Sequence, residues 1–351
     1  MHRALTPRSP RPPRLLLAAL LPALAACATS SECPEGPVET PTTDTPSPRA
    51  TSREAPATVA GPLRVAVTID DLPAHGPLPP GETQLSVHTA ILDVLDAHRV
   101  PAVYGFINAG KLERAPADRA VLELWRDRGH PLGNHTYSHA DINKVGAAAF
   151  IAEIERNDAA LAELVGDTPA ARRSRRAFRY PYLRQGADAE TLDTVRDYLL
   201  EHDYRLAEVT VDFGDWAYNP PYARCRQQGD DDAIADLRWS FIATGLAFLR
   251  WSDQTARALE ERRVPHVLLL HSGGFDAVAL DELLSAYERQ GEVEWITLDE
   301  ALADPLYQRD VRAPSEYGGT LLEQIIERDA PAPAPVPFMI QPLGLLENFC
   351  T

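Results

Sequence analysis

Apolar and polar positions alternate through residues 64–69 in a β-branched run, the period of a strand with one face toward a core. Ile91, Val94, Leu95 and His98 then recur at helical spacing. The two periods go on alternating. Strands are predicted over 102–106, 131–133, 177–179, 205–211, 265–270 and 294–298, with helices over 120–128, 147–165 and 189–201. Strands separated by helices pair in parallel, with the helices packed outside. Seven such strands predict an α/β fold over 61–306, either a distorted (β/α)7-type barrel or a strongly curved sheet.

The stretch from Trp216 to Val264 breaks this rhythm. It holds Asn219-Pro220-Pro221, the acidic run Asp230-Asp231-Asp232, and a long helical pattern with Trp239, Phe241, Phe248 and Trp251. It reads either as an insertion over 217–263 that shapes access to a site, or as a barrel helix with its aromatics in the core. Beyond residue 306 a C-terminal extension, 307–351, shows a short helical pattern over 321–327, a Pro/Ala linker and an apolar end over 338–346.

The N-terminal residues follow neither period. Arg3, Arg8, Arg11 and Arg14 precede an apolar run over 15–26, too short to span a bilayer as a mature helix. The run ends in Leu24-Ala25-Ala26-Cys27, which resembles a bacterial lipobox; that resemblance implies cleavage before Cys27, its lipidation, and a protein held to a membrane in the cell envelope. A plain secretory signal is the alternative. Residues 28–60 are rich in Pro, Thr, Ser and Ala and carry too little apolar surface to offset ordering entropy, so a tether is expected.

A net charge of −17 argues against nucleic acid as partner. Of the four cysteines, Cys33, Cys225 and Cys350 form no CxxC pair; in an oxidising compartment Cys225 and Cys350 could pair. A monomer is expected.

Five short segments carry acid, base and ligand chemistry. Asp70 and Asp71 end the first predicted strand, where a turn would let both carboxylates face one pocket; a cap or turn is the bland reading. His135 and His139 are four apart, which would put both imidazoles on one side of a helical turn; two unrelated histidines in a polar loop are the alternative. With Asp71 they make a two-His, one-carboxylate set that leaves coordination positions open. Arg179-Tyr180-Pro181-Tyr182 and Asp212-Phe213-Gly214-Asp215-Trp216 follow. His271 closes the sixth strand before Gly273 and Gly274, where it could donate a proton to a leaving amine; a buried core histidine is the bland reading. His75, His88 and His98 lack a partner at ligand spacing and read as structural or solvent-facing.

In this order the segments resemble the NodB-homology polysaccharide deacetylases over 64–300. The resemblance implies a metal-dependent hydrolase that removes acetyl groups from N-acetylated glycans. It implies Asp70 as general base, with Arg179 against it, and Asp71, His135 and His139 as metal ligands. It implies His271 as acid tuned by Asp215, an oxyanion donor at the Tyr182 backbone, Trp216 as a pocket wall, and Leu269 lining the acetyl slot. One divalent ion is expected; zinc suits the ligands, and cobalt or nickel would also fit. Ile69 and Leu72-Pro73 depart from the family pattern without removing a functional group. An O-acetyl esterase and a non-catalytic carbohydrate-binding lipoprotein are the alternatives.

Overall fold

The computed structural model describes residues 61–291, 293–329 and 338–351. The expected signal segment, Cys27 and the tether fall outside these residues.

Seven parallel strands form one curled sheet: β1 Leu63–Leu72, β2 Tyr104–Ile107, β3 Leu132–Asn134, β4 Ala177–Phe178, β5 Arg205–Leu206, β6 His266–His271 and β7 Val293–Ile296. Their order is β5-β4-β3-β2-β1-β6. One edge of β1 carries β6; β7 pairs with the first half of the opposite edge and β2 with the second. Past β5 the chain returns to β6 through a single parallel bridge, Val211 to Leu268, which completes the barrel. The expected 205–211 strand is therefore shorter. Only Arg205–Leu206 pairs with β4; farther on, Leu269 N–H donates to the Val211 carbonyl, which ties that part of the chain to β6.

Helices α1 Gln84–Ala97, α2 Arg119–Asp127, α3 Ile142–Val165, α4 Pro169–Arg175 and α5 Ala189–Glu201 cross between the first five strands. Their starts follow from side chains that accept free backbone N–H groups: Thr83, Asp141, Thr168 and Asp188 cap α1, α3, α4 and α5. Gly146, at φ 76°, interrupts α3, so its regular part begins at Ala147, where the sequence period begins. The departure from rhythm is two helices, α6 Asn219–Gln228 and α7 Asp231–Glu260, packed on α8 Gly274–Glu288. Phe241, Phe248 and Trp251 are buried, whereas Trp239 is 74% exposed. The remaining helices are α9 Leu298–Leu302, α10 Leu321–Asp329 and α11 Leu343–Leu346. Among the described residues no helix is long and apolar enough to cross a membrane.

Val65, Val67, Ile69 and Leu270 of the central strands are fully buried against α1, α2 and α8. A buried strand pair of this kind holds the C-terminal strand ends rigidly, and those ends carry the site. A disulfide joins Cys225 of α6 to Cys350, fixing the last residues to the domain.

Candidate active site

The register of β1 against β2 shifts between Ile69 and Leu72, and Asp71 takes φ 71°. A strand alternates its side chains; this irregularity instead turns both Asp70 and Asp71 into one cavity of about 440 Å³. A left-handed φ at a non-glycine residue costs free energy and persists only where the surroundings hold it. Here they do. The Asp71 carboxylate takes a hydrogen bond from His75 Nδ1 at 2.7 Å and from Lys111 Nζ at 3.1 Å, while Lys111 also donates to the Asp71 carbonyl at 2.9 Å.

His135 and His139 follow β3 in a loop, not on the helical turn that their spacing predicted. Thr136 and His139 have φ 63° and 59°, which a helix forbids. Side chains tie the loop down: Asn108 Nδ2 donates to the His135 and Thr136 carbonyls, and Thr136 Oγ1 accepts from Ala140 N–H. The imidazoles still meet, ring centres 4.9 Å apart. The ligand atoms of Asp71, His135 and His139 lie within 4.8 Å of one another. His135 Nδ1–H donates to the Arg179 carbonyl at 2.8 Å, which turns Nε2 inward. Burial pushes both imidazoles down to about 3, so both are neutral with a lone pair free. The set fits a divalent cation.

Asp70 is buried beside Arg179, whose Nη1 donates to Oδ1 at 2.9 Å. Arg179 is itself held by Thr68 Oγ1, the Ala207 carbonyl and the Phe106 ring. Burial raises the Asp70 carboxyl above its ordinary range, opposed by Arg179 and His271. Asp71 goes the other way: burial would raise it, but Lys111, His75 and His139 hold it well below that range. Two adjacent carboxylates thus receive different proton affinities from their neighbours.

Gly214, at φ 73°, makes the turn that delivers Asp215 beneath His271, and a Cβ there would meet the Gln341 side chain at 2.9 Å. Asp215 accepts His271 Nδ1–H at 2.9 Å on one oxygen and the His271 backbone N–H at 2.5 Å on the other. Burial opposes the imidazolium charge, but Asp215, Asp71 and Asp70 outweigh it and push His271 up to about 10. It is a charged donor at neutral pH.

Asp70, Asp71, His135, His139, Tyr182, Trp216, Leu269 and His271 all line the cavity, with Arg179 and Asp215 behind Asp70 and His271. Tyr182 has φ 59° and packs on the His139 ring at 4.5 Å. Other lining residues were not expected. His75, read as structural or solvent-facing, lines the cavity with its ring 4.9 Å from that of His271; its i,i+4 spacing from Asp71 was the available signal. Lys111 gave no signal, being far from Asp71 in sequence. Tyr317, Gln341 and Leu343 of the C-terminal extension complete the wall. Asp276 lies deeper, 1% exposed, with its carboxyl against that of Asp215. Burial and the Asp215 charge raise it well above the carboxylate range, so it is neutral and can donate to Asp215.

Residues 59–207 match a model of the polysaccharide deacetylase family. A peptidoglycan-N-acetylglucosamine deacetylase of Bacillus cereus is 28% identical over 152 residues, 43% of this chain and 46% of that protein. A chitin deacetylase of Arthroderma benhamiae is 27% identical over 160 residues, 45% of this chain and 36% of that protein. The match thus spans less than half the length of either relative. The solved chitin deacetylase of Colletotrichum lindemuthianum is 20% identical, with a TM-score of 0.45 over 69% of this chain and 88% of that one. The matched span holds the Asp70–Asp71 pair, both site histidines and Arg179, and over it the chain is similar to the polysaccharide deacetylases.

Proposed function

We propose that the protein is a metal-dependent deacetylase of N-acetylated glycans, with peptidoglycan, chitin-type oligosaccharides and poly-N-acetylglucosamine as the candidate polymers. The observation that carries this reading is one cavity with a neutral two-His, one-carboxylate set, a buried carboxylate of raised proton affinity, and a charged imidazole. The names of the two curated relatives support the substrate class.

Asp71, His135 and His139 would hold the ion, with zinc the best match to two imidazoles and a carboxylate. When bound, it polarises the acetyl carbonyl and lowers the pKa of water. Asp70, aimed by Arg179, takes the proton as water attacks the amide carbon. Its raised proton affinity suits it to that step near neutral pH. The Tyr182 backbone N–H is the proposed oxyanion donor, and Leu269 and Trp216 enclose the acetyl group. His271, held by Asp215, gives its proton to the leaving nitrogen as the C–N bond breaks. Acetate and a free amine result.

The test is acetate release from a panel of N- and O-acetylated glycans by the metal-loaded protein. Release from glucosamine-type oligomers is expected; release from aryl or xylan acetates alone would make it an esterase, and no release would make it a binding protein. Elemental analysis of His135→Ala should show most of the metal lost, and full retention would refute the ligand set. The Cys27 motif supports attachment to a membrane facing the periplasm or exterior. Cys27→Ser should move the protein out of the membrane fraction; unchanged partitioning would rule out the anchor.

A further inference from the structure

The catalytic cavity opens into a second, larger one of about 790 Å³. Tyr182, Leu183, Asp212, Tyr317, Gln341 and Leu343 line both, so one extended ligand can occupy the two together. Such a volume lies within the usual range of about 300–1,000 Å³ for ligand sites. The outer wall belongs to the C-terminal extension: the loop through Tyr317, the α10 helix and the residues from Phe338 to Leu343. Tyr182 is 52% exposed and Tyr317 84%, two aromatic side chains open to solvent where the cavities meet. Aromatic rings set at the mouth of a pocket suit the apolar C–H faces of sugar rings.

The charge on this wall has one sign. Asp212, Glu323 and Glu327 line the groove, and no Lys, Arg or His does among the described residues. Glu323 and Glu327 are four apart on α10 and share a face. This is not merely the overall acidity of the chain, because the cavity beside β5 sets four arginines, Arg173, Arg196, Arg205 and Arg309, against two acids, Asp299 and Asp310. A neutral acetylated sugar would partly desolvate these carboxylates and give them no counter-charge. A protonated amine would pair with them.

We propose that the groove binds the sugar unit next to the one being deacetylated, and that it favours a unit whose acetyl group has already been removed. The inference rests on the deacetylase reading of the adjoining cavity. Each turnover breaks one amide C–N bond with water and leaves an amine, which becomes the preferred neighbour for the next turnover. The polymer is then deacetylated in runs rather than at scattered positions.

The test compares a fully N-acetylated glucosamine tetramer with the same tetramer bearing one free amine beside an acetylated unit. Assays are run at low ionic strength and below the amine's pKa. Exposed ion pairs contribute about 0.2–1 kcal/mol each. Two or three of them predict a kcat/KM at least about twofold higher for the mixed tetramer. The ratio should fall toward one in Glu327→Gln, in Glu327→Lys, and on adding salt. A native ratio of one or below would overturn the proposal, as would a ratio unmoved by both variants. Titration calorimetry on the metal-free protein reads the groove without catalysis. The fully deacetylated tetramer should bind more tightly than the acetylated one, and equal or weaker binding would overturn the proposal. Preferential binding without acetate release from any glycan would uphold the groove and sink the deacetylase reading.

Discussion

Asp70 and Asp71 are chemically identical neighbours, and only their surroundings distinguish them. Asp70 meets one guanidinium and the neutral His135 ring in a buried setting, while Asp71 meets an ammonium and two imidazoles. Asp70→Asn should retain metal and lose activity by about a hundred- to ten-thousand-fold, because an amide accepts no proton. Asp71→Asn should bind metal weakly and recover in part with excess metal. Metal titration of both variants checks this; rescue of Asp70→Asn instead would reverse the roles. Asp276 gives a second residue-scale outcome. A carboxyl whose pKa is raised in the fold holds its proton there while the unfolded chain releases it above about 4. Native stability therefore falls as pH rises from that point toward the folded-state pKa. Asn carries no such proton and keeps an N–H for Asp215. The Tm advantage of Asp276→Asn over the native protein should grow from acid to neutral pH, with activity retained. A Tm difference independent of pH would show that Asp276 is ionised in the fold.

At the scale of elements, the sequence was legible where a period ran long enough to repeat. The α1, α3 and α5 helices and the buried β1 and β6 strands were all readable. Two-residue strands such as β4 and β5 have no period, and their extents depend on neighbours distant in sequence. The same holds for the loop of His135 and His139. Spacing alone indicated that two imidazoles meet, but left-handed backbone at Thr136 and His139 brings them together, supported by Asn108. The wall of the cavity depends on a further close approach. Gly318 lies at φ 78°, and a Cβ on it would stand 2.3 Å from the Tyr182 carbonyl. Gly318→Ala should therefore displace the 181–183 turn that carries the proposed oxyanion donor. A fall in kcat with metal content unchanged is the expected result, and unaltered kcat would show that the turn does not serve the transition state.

For the whole molecule, the alternation of strands and helices was enough to read a parallel barrel with a site at one end, because the carboxyl ends of parallel strands converge. What sequence could not supply was the partner of each element's outer surface. The last part of the C-terminal extension, 338–351, has little periodicity, and its place follows from one covalent link and a few contacts. Cys350 is joined to Cys225; Arg224 and Gln228 of α6 donate to the Phe349 and Cys350 carbonyls; Leu346 is 2% exposed. A stretch this short buries too little apolar area to stay docked by that alone. The disulfide confines it, and with it Gln341 and Leu343 on the cavity wall. Cys350→Ser, or reduction of the native protein, should free residues 338–351 to proteolysis and raise KM for glycan oligomers more than it lowers kcat. Metal content should not change, since Asp71, His135 and His139 are held by the barrel. An unaltered KM after the segment has become protease-sensitive would show that residues 338–351 form no part of the substrate wall.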